Sequence, residues 1–412
     1  MNFLLIPLLF IIWRIFDFLV IFFSQKVIPY LGFFPYRDQL PSYLLPRWIS
    51  ALANFDGLHY ILIAKNGYSE FEQAFFPLYP LIIRLVAPLF SNNQLLTGLL
   101  ISNVSFLFGL ILFYKYLKLI SSDSIRFNPI LSVLFLLAFP TSFYFGAVYT
   151  EGLFFLLLVS TLYFLKKESY LLVIIFSFLA ALTRFIGVFL IIPIILHFFN
   201  KNKKPNIYHL ASIISPLIGL VLYCFYLWQT TGDPLFFLTS QPIFGANRSS
   251  HLILLPQVYW RYLKIFFTAN HDFRYFISLI EFSFFNFVFV VLVLDLFKSL
   301  QRREKIKKFD LLGLNLFSLA NLILPTLTGT FSSIPRYVVF SLSFFIYLSR
   351  ISPSYAGLSY LSGQKQLRGT YTRANLFASG IKGVFIKYLI LSIFLILHIL
   401  LLGYFSQGYF IS

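Results

Sequence analysis

Residues 140–187 read PTSFYFGAVYTEGLFFLLLVSTLYFLKKESYLLVIIFSFLAALTRFIG, and their charges decide the fold. Glu151 opens one apolar run. Lys166 and Lys167 close it. A second run then leads to Arg184 without another charge after Glu168. Apolar runs that turn around on charged residues read as tight helical hairpins in lipid. The hairpin reading extends in both directions to cover residues 129–199.

The rest of the chain agrees. Of 412 residues, 59% are hydrophobic and only 11% are charged. A soluble surface needs about a quarter of its residues charged. That excludes a cytosolic enzyme, a disordered chain and a disulfide-stapled secreted domain. A bilayer core about 30 Å thick takes roughly 20 apolar residues per helical span. The spacing predicts about eleven spans, near residues 3–23, 94–114, 129–147, 151–165, 169–182, 185–199, 207–229, 275–297, 310–327, 334–349 and 386–404. The fold class is therefore all-α: one polytopic membrane domain over 1–412, with no internal repeat. The first run lacks a small-residue cleavage site and reads as a retained span. Cys224 is the single cysteine, so neither a disulfide within the chain nor a cysteine metal site can form.

The excess of 32 Lys+Arg over 14 Asp+Glu has a topological reading. Lys115, Lys118 and Arg126 fall in one connection, Lys166 and Lys167 in another, and Lys201, Lys203 and Lys204 in a third. Residues 298–308 and 350–387 hold two further clusters. All five fall on one side of the predicted spans, as cytoplasmic loops do. Nucleic-acid binding is not needed to explain the charge. The N-terminus is then cytoplasmic and the C-terminus outside. The polar stretch 350–385 reads as a mobile cytoplasmic connection. Two long outside loops remain, 24–92 and 230–274, and long structured loops tend to carry function. The second contains the sequon Asn247-Arg248-Ser249, a triplet that arises often by chance.

Within the first outside loop, residues 47–67 read RWISALANFDGLHYILIAKNG. Leu58, Ile61, Leu62 and Ile63 mark the face of a short helix that would lie along the membrane surface. Asp56 occupies the N-cap position and Gly67 the C-terminal glycine position. His59 follows Asp56 by one turn. Asp56 is thus either a cap or a catalytic acid, and His59 either an interfacial anchor or a substrate ligand. In EFEQAFFPLYPLIIRL, residues 70–85, the prolines break and restart helices. Glu70 and Glu72 read as solvated charges.

Three charges sit at the outer ends of spans against the prevailing sidedness: Glu151, Arg184 and Arg336. Charge near hydrocarbon has a partner or a task. These three either pair with one another or hold an anionic lipid, since arginine forks match phosphate oxygens. An acid beside such arginines is the minimum for glycosyl transfer from a lipid phosphate. The acid takes the proton of an incoming hydroxyl and arginine steadies the departing phosphate. Phosphate leaves without a proton donor, so no metal or other cofactor is required.

Five blocks then resemble one family: NFDGLHYILIAKNGY with QAFFPLYPLIIRLV, FPTSFYFGAVYTEGLFFLLL, LAALTRFIGVFLIIP and IPRYVVFSLSFFIYL. They are similar to ordered blocks of the PIG-V family, the second GPI mannosyltransferase and its prokaryotic relatives, within the GT-C superfamily. The resemblance implies a helical GT-C fold and a polyprenyl-phosphate sugar donor, dolichyl-phosphate mannose in eukaryotic members. It implies an essential acid matching Asp56. Glu151, Arg184 and Arg336 match charged positions of the later blocks and, with His59, stand as substrate-binding candidates. Phe55 stands where many relatives have tryptophan. Short loops and the lack of a eukaryotic targeting feature point to a prokaryotic plasma membrane rather than the endoplasmic reticulum. The acceptor would be a lipid-linked glycan, a glycolipid or a protein, reached by inverting single displacement.

The competing expectation is a transporter or flippase of lipid-linked sugars. That class places ionisable residues near the midplane of the bilayer. Here Arg14 and Asp17 are the main ones, at a spacing that lets them pair. A structural subunit is the third reading, in which Asp56 only supports its helix.

Overall fold

The computed structural model describes residues 4–32, 34, 36–121, 127–199, 206–244, 248–249, 251–301, 305–350 and 373–411. All regular elements among them are helical. Among the described residues, six helices are long and apolar enough to cross a membrane: Leu5–Val27, Gln94–Ser121, Ile207–Thr231, Phe273–Leu300, Asp310–Thr328 and Gly383–Ser406. The chain is an all-α, multi-pass membrane protein. Lipid imposes this, because a helix satisfies its backbone polar groups within one segment.

Over the other five predicted runs the helices are shorter, and several are broken. Pro129–Ala138 stops before Pro140, and Phe139 is extended, with φ −61° and ψ 138°. Proline disfavours a helical residue before it. A 3-10 turn follows at Ser142–Gly146. Glu151–Lys166 and Tyr170–Thr183 form the hairpin expected from the quoted stretch. Arg184 is extended, with φ −154°, and Phe185–Leu190 continues as 3-10 helix before Ile191–Phe199. The segment around 334–349 divides into Ile334–Val338 and Leu342–Arg350. These breaks lie where Glu151, Arg184 and Arg336 occur, so irregular backbone gathers at one end of the bundle. Gly152 lets helix Glu151–Lys166 nest there. A methyl group on it would lie 2.5 Å from the Ser102 carbonyl oxygen.

The stretch 24–92, expected as the first outside loop, folds as a series of short helices, including Arg47–Ser50, Asp56–Asn66 and Leu78–Val86. One expectation is corrected. The apolar face of Asp56–Asn66 meets protein, not lipid. Leu58, Ile61, Leu62 and Ile63 are all buried, because the helix packs against Leu78–Val86 and Gln94–Ser121. The amphipathic helix with an uncovered face is Leu78–Val86, which exposes Leu81 and Leu85. The expected glycine stop does hold: Gly67 adopts φ 92° and its amide donates to the Ile63 carbonyl at 2.9 Å.

The second loop contains helix Leu255–Thr268. Of the expected connection 350–385, residues 351–372 lie outside the described residues. Helix Arg373–Ser406 begins within the remainder, so the last helix starts earlier than the hydropathy suggests. Arg126, Lys201, Lys203, Lys204, Asn247, Arg302 and Arg303 also lie outside the described residues.

Candidate active site

Asp56 is the first residue of its helix rather than the cap. Phe55 holds the cap position, with φ 58° and ψ −120°, and no side chain caps the helix. That backbone conformation is costly for a residue with a side chain. Its neighbours hold it in place. The Asn54 side-chain Nδ2 donates to the Phe405 carbonyl at 2.9 Å, and the Tyr149 hydroxyl donates to the Asn54 backbone carbonyl at 2.7 Å. The Val148 amide donates to the Leu52 carbonyl at 3.0 Å. The segment before Asp56 is thereby fastened to the segment before Glu151.

Freed from capping, the Asp56 carboxylate accepts from Arg336 Nη1 at 2.7 Å. Arg336 also donates Nε and Nη2 to Glu151 Oε1, at 3.2 and 3.0 Å. Arg184 Nη1 meets the same oxygen at 2.9 Å and donates to the Thr150 hydroxyl at 2.8 Å. Two carboxylates and two guanidinium groups thus form one connected cluster. The Arg336 guanidinium lies 4.8 Å from the Tyr144 ring centre and 4.9 Å from that of Tyr149. Arg184 lies against Tyr337 and Phe340 in the same way. Aromatic faces attract cations that have left water.

Accessibility separates the two acids. The Glu151 side chain is fully buried, whereas Asp56 keeps 27% of its side-chain surface accessible. Burial pushes the Asp56 carboxyl up. The charge and hydrogen bond of Arg336, with the charges of His59 and Arg248, more than offset this and hold it below the usual carboxylate range. Asp56 therefore stands ionised at neutral pH, with an open side.

His59 joins this end of the molecule but not the cluster. Its Nδ1 lies 3.0 Å from Glu72 Oε1, and its ring stacks on Phe75 at 5.2 Å. Glu72 was expected to be solvated; it is buried at 5% exposure and also accepts from the Ser69 amide at 2.9 Å. The 3-10 turn Glu72–Ala74 carries it inward, a fold-back that local hydropathy does not reveal. Glu70 is exposed, as expected.

Arg248 and His398 were not singled out in the sequence. Arg248, the arginine of the sequon, donates to Gln241 Oε1 at 2.9 Å and to Ser333 Oγ at 3.2 Å. A cation in an outside loop was the available signal. His398 belongs to a second buried network. Its Nε2 lies 2.8 Å from Asp17 Oδ1, and its Nδ1 lies 3.2 Å from the Ser142 hydroxyl. Arg14 pairs with Asp17 at 3.3 Å, as their spacing suggested, and donates to the Gly146 carbonyl at 2.9 Å. Among the described residues, no three His, Cys, Asp or Glu side chains form a group able to hold a metal ion.

A family model described as "Mannosyltransferase (PIG-V)" matches residues 6–231, more than half of the chain. It covers Asp56, His59, Glu151 and Arg184. No curated protein matches the chain with significance.

Proposed function

The chain belongs to the PIG-V mannosyltransferase family, and on that premise we propose that it moves mannose from a polyprenyl-phosphate donor to a hydroxyl on the extracytoplasmic face of the membrane. The acceptor class is a lipid-linked glycan, a glycolipid or a protein. The observation that carries this reading is the 2.7 Å pairing of a partly accessible Asp56 with the buried Arg336.

In the proposed reaction the acceptor oxygen attacks the anomeric carbon from the face opposite the phosphate. The new carbon–oxygen bond forms as the bond to phosphate breaks. The electron pair leaves with the phosphate, and the acceptor proton passes to Asp56. The products are an inverted glycoside and polyprenyl phosphate. A carboxylate held at low pKa is a weak base for a resting hydroxyl. Proton transfer therefore runs late, once bond formation has made the hydroxyl acidic. Arg336 keeps Asp56 ionised and aimed. Glu151 is too deeply buried to meet a sugar and acts through Arg336 and Arg184 as a positioning residue. The edges of the two arginines that remain unbonded, together with His59, are the proposed substrate contacts.

The test uses purified protein in lipid with radiolabelled polyprenyl-phosphate mannose and a crude lipid extract as acceptor source. Donor consumption by wild type, lost in folded Asp56→Asn, is the expected result. Full consumption by folded Asp56→Asn overturns the mechanism.

A flippase for lipid-linked sugars is the second reading. One observation favours it: Arg14, Asp17 and His398 are ionisable groups inside helices long enough to span. It requires donor to cross vesicle membranes without being consumed.

A further inference from the structure

The transfer proposed above releases a phosphate, and that phosphate needs a counter-charge. The donor is a phosphodiester with one negative charge, and departure leaves a monoester with more. Within the Asp56 cluster the arginines are already matched. Arg184 is bonded to Glu151 at 2.9 Å, and Arg336 to Glu151 and Asp56 at 3.0 and 2.7 Å. Two carboxylates offset two guanidinium groups, and an incoming anion would find a neutral assembly.

We propose that Arg248 is the residue that binds the donor phosphate, with the Ser332 hydroxyl as a second donor to its oxygens. The inference rests on the mannosyl-transfer reading and adds a residue to it.

Three observations support this assignment. First, Arg248 is bonded to uncharged groups, Gln241 Oε1 and Ser333 Oγ. A guanidinium carries five N–H donors in a planar fork that fits phosphate, and most of those on Arg248 have no partner among the described residues. Second, Arg248 stands close to the chemistry. Its charge acts on the Asp56 carboxylate. Ser333, which it touches, is the left-handed residue that starts helix Ile334–Val338, where Arg336 resides. Third, Ser332 is only 6% exposed, and its Oγ has no hydrogen-bond partner among the described residues. A buried hydroxyl left unpaired costs stability unless a ligand meets it. One cation and one hydroxyl beside the turn that carries Arg336 make a small anion site. The chain then continues into helix Leu255–Thr268, which exposes Trp260, Leu263 and Phe267. Such a surface suits an isoprenoid chain attached to the phosphate.

The experiment needs no sugar and no turnover. Binding of polyprenyl phosphate and of the corresponding polyprenol is measured on full-length protein in lipid nanodiscs. The proteins are wild type, Arg248→Gln, Arg248→Lys and Lys264→Gln, the last removing an exposed charge from the same loop. Wild type is expected to prefer the phosphate by about tenfold or more, the scale of a lost charge-assisted hydrogen bond. Arg248→Gln should lose that preference and bind polyprenol unchanged. Arg248→Lys should keep part of it, and Lys264→Gln all of it. If Arg248→Gln does not fold, Ser333→Ala, which removes an oxygen that holds Arg248, is read the same way with a smaller loss. Undiminished phosphate binding in Arg248→Gln, or in Ser333→Ala where it stands in, overturns the assignment. So does wild type that binds phosphate and alcohol equally.

The two readings fail separately. Phosphate preference that depends on Arg248, in a protein that consumes no mannosyl donor, keeps the anion site and rejects mannosyl transfer. Wild-type donor KM in Arg248→Gln rejects the site and keeps the transfer.

Discussion

The Asp56–Arg336–Glu151–Arg184 cluster and the Arg14–Asp17–His398–Ser142 network use similar materials to different ends. Each joins distant parts of the chain through buried charges. Asp56 and Arg336 are 280 residues apart, and Asp17 and His398 are 381 apart. In the second network everything is closed. Asp17 is 0% exposed and His398 1%, and both Asp17 oxygens are taken, one by His398 and one by Arg14. That network ties the first helix to the last and to the Ser142–Gly146 turn. The first cluster leaves one carboxylate partly open. Burying an ionisable group therefore does not make a site. An ionised group needs a paired side to hold it and an accessible side for substrate.

The contrast can be broken most directly at the two aspartates. Asp56→Asn should reduce donor consumption by about 10²–10⁴-fold, the usual weight of a general base, while the protein still folds. Asp17→Asn should do the reverse. It leaves Arg14 without its anion, and breaking a buried pair costs about 3–5 kcal/mol. Thermal melting in detergent should fall markedly, with turnover per folded molecule retained. Loss of turnover in folded Asp17→Asn would place the inner network in the chemistry and remove the distinction.

Gly152→Ala sharpens the comparison from the packing side. Its methyl group meets the Ser102 and Phe145 carbonyl oxygens, at 2.5 and 2.6 Å. Backbone shifts forced by overpacking cost about 1–3 kcal/mol. The shift would move Glu151, next in sequence, off the two arginines. Turnover should fall by more than stability explains, as a comparison of melting and kinetics on one preparation would reveal.

The smallest effect is expected from acidity. The Asp56 carboxyl lies below its ordinary value of 3.8. A depressed carboxylate contributes stability that is fully present above the unfolded pKa and lost as pH falls through the folded one. The base is ionised throughout the neutral range as well. Donor consumption should not decline from Asp56 protonation between about pH 8 and about pH 5. A profile recorded across that window checks this, and an acid limb within it would belong to another group.

Much of the site was legible because charge is rare in this chain. Glu151, Arg184 and Arg336 stand out against apolar runs, and the basic clusters give them a common predicted side. Their pairing was one of two open readings, and contact between elements so far apart in sequence is a tertiary fact. Other residues were misread because local pattern was the only guide. Asp56 was left open between helix cap and catalytic acid, and the cap position assigned to it belongs to Phe55. Glu72 looked solvated because it lies in a polar stretch, yet the turn beneath His59 buries it. Arg248 was noticed only as part of a sequon, since its nearness to Asp56 depends on how two distant loops meet. His398 sits in an apolar run with no local partner to mark it.

Composition and hydropathy settle the solvent and therefore the fold class. Too few charges for water and many long apolar runs leave only helices in lipid. The same patterns also mark which few residues are costly enough at the membrane boundary to need a reason. Which of them meet, and which one remains open, follows from how the helices pack. Hydropathy sums over neighbours along the chain, whereas a 2.7 Å ion pair between residues 56 and 336 depends on the packing of every helix between them.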